Sequence, residues 1–376
     1  MELIFLCYSI VCEKINDNFL SINIMDLTAK NLLEKLKMEH SLSISEYEYL
    51  LVNRNDELMD AAAGYAREFS QKYYGNKIFI RGLIEFTNFC RNDCLYCGIR
   101  RDNSNCERYR LSKDTILECA KAGYDLGFRT IVLQGGEDFT YSDDLLCNII
   151  SELKNVNKDI AVTLSIGERS FESYQKYFDA GANRYLLRHE TANPALYEKL
   201  HPVEMSWQNR MDCLKNLKEI GYQIGAGFMV ETPGQTDYDL AMDLKFIEEF
   251  KPDMCGIGPF ISHKDTPFAN AESGTLSTTL FCLSLIRMIY PEVLLPATTA
   301  LGTINPKGRE MGILAGANVV MPNLSPANVR KKYSLYDNKI CTGEEAAECL
   351  NCLKKRVESI GYEIVTDPGD RAGFNK

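Results

Sequence analysis

The chain has 376 residues, of which 45% are hydrophobic and 25% are charged, and its formal net charge is −10. These proportions are those of an ordinary globular protein, so they exclude a disordered or collagen-like chain. The acidic balance argues against non-specific binding to nucleic acid, which needs a basic surface. No segment has the roughly 20 consecutive apolar residues of a membrane-spanning helix. We therefore expect a soluble, cytoplasmic protein without a membrane or nucleic-acid partner.

The first 24 residues are predicted to stand apart from the fold. The run Met1–Cys12 is apolar, but it carries Glu2 where a signal peptide has a basic region, and it is too short to cross a bilayer. Met25 begins an amphipathic helical pattern and is an alternative start. We predict a dispensable extension over residues 1–24, not necessarily native, and a helical arm over residues 25–76.

Beyond the arm, the chain alternates between strand-like and helix-like segments. Near-continuous apolar runs are typical of strands that are covered on both faces. They occur at Phe79–Phe86, Thr130–Gln134, Ala161–Ser165, Arg184–Arg188, Gln223–Val230, Met254–Phe260, Val293–Ala297 and Asn318–Pro322. Helical spacing of apolar residues lies between them, over Lys113–Leu126, Trp207–Ile220 and Tyr238–Phe250. Glycines follow three of the helices, as helix-ending glycines do: Gly127, Gly181 and Gly221.

Eight strand–helix pairs predict an α/β protein, a complete (β/α)8 TIM barrel over residues 77–330. The helical arm would precede the barrel, and a helical tail over residues 331–376 would follow it. A doubly wound open sheet is the alternative, but eight units without a domain break favour closure. Polar residues follow six of the eight predicted strands, at the barrel end where such folds place their chemistry.

The strongest motif is CxxxCxxC, formed by Cys90, Cys94 and Cys97 directly after the first predicted strand. Without a signal peptide, the fourteen cysteines of the chain indicate metal or redox chemistry rather than disulfides. A structural zinc site usually has four ligands, which three clustered cysteines fit poorly. Three thiolates suit a 4Fe–4S cluster that keeps one iron open for a small ligand. The aromatic ring of Tyr96 would shield such a cluster.

These residues resemble a known family. The cysteine motif, the QGGE sequence that starts at Gln134, RYLLRHETANP from Arg184 and GIGPFISHKDTP from Gly256 resemble the FeFe-hydrogenase maturases of the HydE type. That family belongs to the radical S-adenosylmethionine (SAM) superfamily, and the resemblance covers about residues 80–352. It implies that the open iron binds SAM and that one electron from the cluster cleaves SAM to methionine and a 5′-deoxyadenosyl radical.

The resemblance also implies roles for residues at the strand ends. Glu137 would contact the amino group of SAM, Glu190 its ribose or amino group, and Arg210 its carboxylate, which suits a forked guanidinium. The full set of implied SAM contacts is Tyr96, Gln134, Gly135, Gly136, Glu137, Ser165, Glu190 and Arg210. A structural ion pair between Arg188 and Glu190 and a solvated Arg210 are the alternatives. His189 is more typical of a structural histidine than of a ligand.

Two further sets of residues follow from the resemblance. The substrate would contact Arg81, Thr163, Arg188, Thr298, Thr299 and Tyr336. A second, auxiliary cluster of the 2Fe–2S or 4Fe–4S type would be held by Cys341, Cys349 and Cys352, with a zinc site as the alternative. Cys106 is excluded as a ligand, since a fourth thiolate would close the open iron.

The implied activity is a step in the maturation of FeFe-hydrogenase. The radical would act on an organometallic iron precursor of the di-iron active site, which a companion maturase supplies, and the product would pass to a GTPase scaffold maturase. An electron donor is a further implied partner. Methylornithine synthase and biotin synthase share the first motif and remain alternatives, as does a non-enzymatic iron–sulfur carrier. Only Cys255 lies near a strand end as a ligand for the second cluster of a biotin synthase.

Overall fold

The computed structural model describes residues 28–342 and 350–374. The predicted extension over residues 1–24 and Cys349 lie outside the described residues. The described part opens with helix α1 over residues 28–39, followed by α2 (Ile44–Val52) and α3 (Asp56–Tyr74). Ser43 and Asn55 begin the last two helices, because each side chain accepts a hydrogen bond from a first-turn backbone N–H.

The described residues contain eleven strands, and every pairing between them is parallel. The strands are β1 (Lys77–Ile80), β2 (Gly82–Thr87), β3 (Thr130–Gly135), β4 (Ala161–Ser165), β5 (Ala182–Leu186), β6 (Gln223–Ala226), β7 (Met229–Val230), β8 (Met254–Cys255), β9 (Gly258–Pro259), β10 (Val319–Val320) and β11 (Glu363–Val365). The main sheet has six strands in the order β2-β3-β4-β5-β6-β8. A second sheet has the order β10-β1-β11, and β7 pairs with β9.

Helices connect the strands, as parallel pairing requires. They are α4 (Lys113–Asp125), α5 (Asp143–Val156), α6 (Phe171–Asp179), α7 (Pro194–Leu200), α8 (Trp207–Ile220), α9 (Asp237–Phe250), α10 (Leu276–Ile289), α11 (Thr299–Ile304), α12 (Gly308–Leu314), α13 (Ala327–Arg330) and α14 (Leu350–Glu358). A serine begins each of four helices by capping its first turn: Ser112, Ser142, Ser170 and Ser206. The arm packs on this layer, α2 against α9 and α3 against α10.

The predicted strands agree with the structure in place but not always in extent. The first predicted strand is divided at Arg81 into β1 and β2, and the strand predicted over Arg184–Arg188 runs instead over Ala182–Leu186. The runs predicted at Gln223–Val230 and Met254–Phe260 are each divided in two. Gly227, with φ +151, lies at the first of these breaks, where a Cβ would come within 2.1 Å of the Gly256 oxygen.

The segment predicted as the seventh strand, Val293–Ala297, forms no extended strand. It makes single bridges instead, Leu294 with Met254 and Pro296 with Val319. Pro296 has no N–H to donate, so a regular ladder cannot run through it. A further bridge joins Leu83 of β2 to Asn323. The structure therefore shows an α/β fold around parallel sheets, with additional contacts that link the ends of the six-stranded sheet.

The C-terminal segment is not the purely helical tail predicted from the sequence. After α14 the chain forms β11, which pairs with β1. Residues 366–372, here called the C-terminal plug, then cross the amino ends of the main strands. The Pro368 carbonyl accepts hydrogen bonds from Thr130 and Arg184, and Asp370 pairs with Arg184 at 2.7 Å. The plug carries Gly369, which lies against the ring of Phe79.

Apolar side chains from both faces of the main sheet form a continuous buried core that extends into α1, α2 and α3. Within the described ranges, no helix is both long enough and apolar enough to cross a membrane.

Candidate active site

A cavity of about 350 Å³ lies at the carboxyl ends of the main strands. Its wall is formed by the loops that follow β2, β3, β4 and β5, by Arg210 of α8, and by Thr298 and Thr299 at the start of α11. A segment over residues 331–342, here called the strap, closes one side with Tyr336 and Lys339. Most of the predicted site residues therefore share one space.

Cys90, Cys94 and Cys97 all line this cavity, on the long loop between β2 and α4. Within the part of the chain that the structure describes, no three His, Cys, Asp or Glu side chains are grouped closely enough to hold a single metal ion. The three thiols instead surround part of the cavity. Three thiols that line one cavity are donors of the kind that hold an iron–sulfur cluster.

Burial raises the pKa of all three thiols. Cys97 has a pKa of about 12, and the pKa of Cys94 lies well above its usual value because burial is reinforced by the neighbouring thiols Cys97 and Cys90. Three thiolates in this place therefore need a bound cationic group to offset burial and mutual repulsion. Metal binding supplies that charge and releases the thiol protons.

The Tyr96 ring between the last two cysteines is fixed by His201. Nδ1 of His201 faces the Tyr197 carbonyl oxygen at 2.9 Å, so it carries the ring hydrogen. Nε2 of His201 is then the acceptor for the Tyr96 hydroxyl, at 3.1 Å. Tyr197 stacks on the imidazole with ring centroids 3.9 Å apart. The end of α7 thus orients the aromatic side chain beside the cysteines.

The QGGE sequence brings its backbone against the cysteine loop. A Cβ at Gly136 would lie 2.2 Å from the Phe89 carbonyl oxygen and 2.7 Å from Cβ of Cys90, so only glycine permits this approach. The buried Glu137 carboxylate pairs with Arg91 at 2.8 Å and accepts the backbone N–H of Glu168 at 2.8 Å. Gln134, Gly135, Gly136 and Glu137 all line the cavity.

The loop after β5 presents Arg188 and Glu190 to the cavity and turns His189 away from it. Nη2 of Arg188 lies 3.5 Å from Oε2 of Glu190, but neither atom, nor Nε of Arg188, has a hydrogen-bond partner within the described residues. Glu190 has φ +67 and donates its backbone N–H to the Gly227 oxygen at 3.0 Å. His189 is fully buried, where its Nδ1 accepts the N–H of Gly227 and its Nε2 faces Asp243. The structure therefore contains the Arg188–Glu190 ion pair that the sequence left as an alternative, and the pair keeps unused hydrogen-bonding groups in the cavity wall.

Arg210 is buried and is not the solvated surface arginine that the sequence left as an alternative. Its Nε donates to Oε1 of Glu168 at 2.6 Å, and its Nη1 donates to the carbonyl oxygen of Arg188 at 2.6 Å. These bonds fix the plane of the guanidinium and tie α8 to the loops after β4 and β5. The oriented fork is suited to a carboxylate ligand.

The cavity is also lined by other predicted residues and by residues that the sequence analysis missed. The predicted substrate contacts Thr298, Thr299 and Tyr336 and the predicted SAM contact Ser165 all line the cavity, and Oγ1 of Thr298 is buried without a hydrogen-bond partner among the described residues. Sequence reasoning missed many lining residues, among them Glu85, Met205 and Lys339. Nζ of Lys339 forms an ion pair with Glu85 and donates to the Tyr333 carbonyl oxygen at 2.7 Å. An acidic residue inside an apolar strand was a usable signal for Glu85, whereas no local pattern marked Lys339.

Comparison with known proteins identifies the family. Residues 84–247 match the model of the Radical SAM superfamily. The FeFe-hydrogenase maturase subunit HydE of Thermotoga maritima is 47% identical over 345 residues, which are 92% of this chain and 98% of that protein. The chain belongs to the HydE family of radical SAM enzymes.

The chain is also similar to methylornithine synthases, in sequence and in structure. The 3-methylornithine synthase of Methanosarcina acetivorans is 29% identical over 343 residues, which are 91% of this chain and 94% of that protein. A crystal structure of methylornithine synthase has a TM-score of 0.77 at 24% identity and covers 89% of this chain and 97% of the other. The latter likeness shows a shared α/β fold.

Radical SAM enzymes hold a 4Fe–4S cluster and SAM, and the residues of this HydE-family protein fit both. Three partly buried thiols share one cavity, and three thiolates leave one iron of a 4Fe–4S cluster open for SAM. Nε and Nη2 of Arg188 and Oε2 of Glu190 lie in the same wall without a hydrogen bond to any described residue, so they can bind a polar ligand. When bound, the cluster supplies the electron that cleaves the sulfonium of SAM.

Two predicted substrate residues do not reach the cavity. Arg81 and Thr163 line a separate small cavity near the C-terminal plug, together with Arg184. Nη2 of Arg81 faces the Gly369 carbonyl oxygen at 3.4 Å, and Thr163 lies two residues before the end of β4. A strand rises about 3.3 Å per residue, so these side chains lie deeper than Ser165. The expectation that they line the barrel mouth was wrong.

The auxiliary cysteines are described only in part. Cys341 is buried with φ +62 at the end of the strap, and its sulfur accepts a hydrogen bond from Nη2 of Arg309 at 3.2 Å. Cys352 is exposed on α14. Since Cys349 lies outside the described residues, the auxiliary cluster stays a prediction.

Proposed function

We propose that this protein cleaves SAM reductively and uses the 5′-deoxyadenosyl radical on a precursor of the di-iron site during FeFe-hydrogenase maturation. The observation that carries the proposal is the 47% identity with HydE, which spans 98% of that protein. The cavity supports it, because the three cysteines share one space with Glu137, Glu190 and Arg210.

In this proposal each side of the cavity binds a different part of SAM. Arg210, oriented by Glu168, binds the carboxylate, and Glu137 accepts from the amino group while it keeps its ion pair with Arg91. Oε2 of Glu190 accepts no hydrogen bond from the described residues, and it would accept one from the ribose. Tyr96, whose ring is fixed by His201, would shield the cluster and exclude water from it.

The part of the cavity lined by Thr298, Thr299 and Tyr336 would hold the substrate within van der Waals reach of the radical. Nε of Arg188 offers an N–H that has no hydrogen-bond partner among the described residues, and Thr298 offers a hydroxyl. Lys339 adds an ammonium whose charge is balanced by Glu85. These N–H and O–H donors suit a substrate that presents hydrogen-bond acceptors, and we propose an organometallic iron species that carries cyanide and CO. Rigid strand ends keep the geometry that radical transfer requires.

We further propose that the sheets close into a complete (β/α)8 barrel over residues 77–330, with a helical arm over residues 25–76. The support lies in the bridges that link β8 to Leu294, Pro296 to β10 and Asn323 to β2. Together they continue the six-stranded sheet around to its first strand. Under this proposal residues 331–376 form a separate C-terminal part that closes both ends of the barrel.

Companion maturases belong to the pathway of this family, and we propose three specific partners for this chain. One supplies the iron precursor, a GTPase scaffold receives the product, and an electron donor reduces the cluster. Thiols that must remain reduced favour a cytoplasmic location.

The second candidate function is a radical mutase like 3-methylornithine synthase, since that relative matches 91% of this chain. A biotin synthase is disfavoured, because Cys255 is fully buried on β8 and does not line the cavity. A non-enzymatic iron–sulfur carrier is also disfavoured. It would need the cysteines but not a buried arginine that Glu168 orients in the wall of the same cavity, as Arg210 is.

The test is formation of 5′-deoxyadenosine by protein reconstituted anaerobically with iron and sulfide, reduced, and mixed with SAM. We expect product from the wild type and from Cys349→Ala, and none from Cys94→Ala, which lacks one cluster ligand. Mass spectrometry measures the product. Absence of product from a wild type that contains its cluster would overturn radical chemistry.

A second arm separates the two candidate functions. Lysine added to the active protein would yield 3-methylornithine from a mutase, whereas a maturase would leave lysine unchanged. Addition of the companion maturases and apo-hydrogenase should then produce hydrogenase activity that depends on the wild-type protein and is absent with Cys94→Ala.

A further inference from the structure

The loop that carries the three cysteines is long and has little regular structure. It runs from Thr87 to Arg110, which face each other in a single bridge, and α4 begins only at Lys113. Loops of this length need their backbone groups satisfied by side chains if they are to hold one shape. The side chain that does most of this here is Arg108.

The guanidinium of Arg108 binds five backbone carbonyl oxygens. Nη1 donates to Asn88 O at 2.5 Å and to Ile99 O at 2.8 Å. Nη2 donates to three further carbonyls, those of Arg100, Arg101 and Asn103 at 2.5, 3.4 and 3.3 Å. Asn88 lies two residues before Cys90, and Ile99 lies two residues after Cys97, so one planar group joins both ends of the cysteine motif.

Arg108 also differs from the other arginines of the loop in its charge balance. The others each form an ion pair with a carboxylate: Arg91 with Glu137, Arg100 with Asp93, Arg101 with Asp102 and Arg110 with Asp138. Over the described ranges, no carboxylate lies within ion-pair distance of Arg108. Its positive charge therefore remains uncompensated, and it acts on Cys90, whose sulfur carries negative charge when it binds iron.

We propose that Arg108 is a positioning residue for the cluster: it pre-forms the loop before iron binds, and its charge favours the reduced cluster. A fixed cation stabilises the more negative redox state of a nearby group. The inference rests on the cluster that the family membership implies and not on the identity of the substrate. It extends the proposed function, because cleavage of SAM needs the reduced state.

The test compares Arg108→Lys and Arg108→Gln with Arg101→Gln. Arg101→Gln is a matched control, because it removes the same charge from an exposed side chain of the same loop that has its own carboxylate. In the iron-free protein, we expect both Arg108 variants to show at least fivefold faster alkylation of Cys90, Cys94 and Cys97. The control should react like the wild type.

The charge is tested by redox titration of the reconstituted variants with electron paramagnetic resonance. We expect Arg108→Gln to disfavour the reduced cluster about tenfold, which is 59 mV for one electron, and Arg108→Lys to keep the wild-type potential. Equal potentials in Arg108→Gln and the control, or wild-type alkylation in both Arg108 variants, would overturn the corresponding half of the proposal. Wild-type formation of 5′-deoxyadenosine tests the proposed function separately.

Discussion

Several side chains in the cavity owe their orientation to partners that no motif singles out. Glu168 holds Nε of Arg210, and the Arg188 carbonyl oxygen holds its Nη1. A guanidinium that is already oriented loses less conformational entropy when it binds a carboxylate. Sequence reasoning selected Arg210 from its position on α8, but it had no means of finding Glu168, because the two residues are 42 positions apart.

His201 makes the stability of the protein depend on pH. Burial, and after it the charge of Arg210, lowers the pKa of His201 to about 3 from 6.5. Below pH 6.5 the unfolded chain therefore binds a proton that the folded protein excludes, so acid favours unfolding. We expect this group to lower the free energy of unfolding by about 1 kcal/mol per pH unit between about pH 6 and pH 5.

Urea unfolding of the wild type and of His201→Gln at several pH values measures this contribution. Glutamine keeps an acceptor for the Tyr96 hydroxyl but does not titrate, so the variant should lose less stability than the wild type as the pH falls. Burial also lowers the pKa of His189 to about 3. The loss of stability that His189 causes at low pH is present in both proteins and does not affect their comparison. Parallel stability profiles for the two proteins would show that His201 does not titrate on unfolding.

At the scale of elements, the strap and the cysteine loop form one wall. The Gly98 N–H donates to the Leu335 carbonyl oxygen at 2.8 Å, and Asn88 donates through its side chain to the Lys332 carbonyl oxygen at 2.7 Å. On its other side the strap is held by the N–H of Asp337, which donates to Ser262 O at 3.0 Å. The strap thus places Tyr336 and Lys339 in the cavity only while it remains in contact with the loop.

Substitution of Gly98 tests this contact. A Cβ at Gly98 would lie 2.2 Å from the Ser334 carbonyl oxygen and 2.4 Å from the ring of His263, so Gly98→Ala must displace the strap. We expect cleavage by trypsin at Lys331 and Lys332 to accelerate about tenfold or more, and SAM to bind more weakly. Gly64→Ala is the control, because the nearest atom to its Cβ would lie 3.9 Å away and alanine favours the helix. Equal cleavage rates in both variants would contradict the role of the strap.

Sequence periodicity predicted the helices better than the strands. Helix α8 has the predicted bounds, and α4 and α9 differ by one residue at one end. The strap and the plug had no signal of this kind, because their contacts are made by isolated polar residues with partners more than 100 positions away. The same limit explains why Lys339 was missed while the cysteine motif, which is local, was found.

At the scale of the whole molecule, the two ends of the main strands differ in what covers them and in which residues they carry. The carboxyl ends carry the cavity, which the sequence predicted from the polar residues after six of the eight predicted strands. The amino ends are covered by the C-terminal plug, which the sequence did not predict. Arg81 was misplaced for this reason. A buried arginine on a strand indicates a polar partner, but the sequence does not show at which end that partner lies.

The plug should stabilise the fold without taking part in the chemistry. Asp370 pairs with the buried Arg184 at 2.7 Å, and Arg371 pairs with Asp253 beside it. Asp370→Asn would leave the Arg184 guanidinium without a carboxylate, which we expect to lower the free energy of unfolding by about 1–3 kcal/mol. The loss should shrink as the pH falls through the folded pKa of Asp370, which Arg184 holds below its usual 3.8 against the opposing effect of burial.

Urea unfolding at neutral pH measures the loss, with Asp125→Asn as the matched control. Asp125 forms an exposed pair with Lys121 on α4, and such a pair contributes little to stability. Formation of 5′-deoxyadenosine at 25 °C should be unchanged in both variants, because the plug and the cysteines lie at opposite ends of the main strands. If Asp370→Asn instead kept full stability but lost activity, the amino end would belong to the active site and the division of the molecule into a catalytic and a closing end would be wrong.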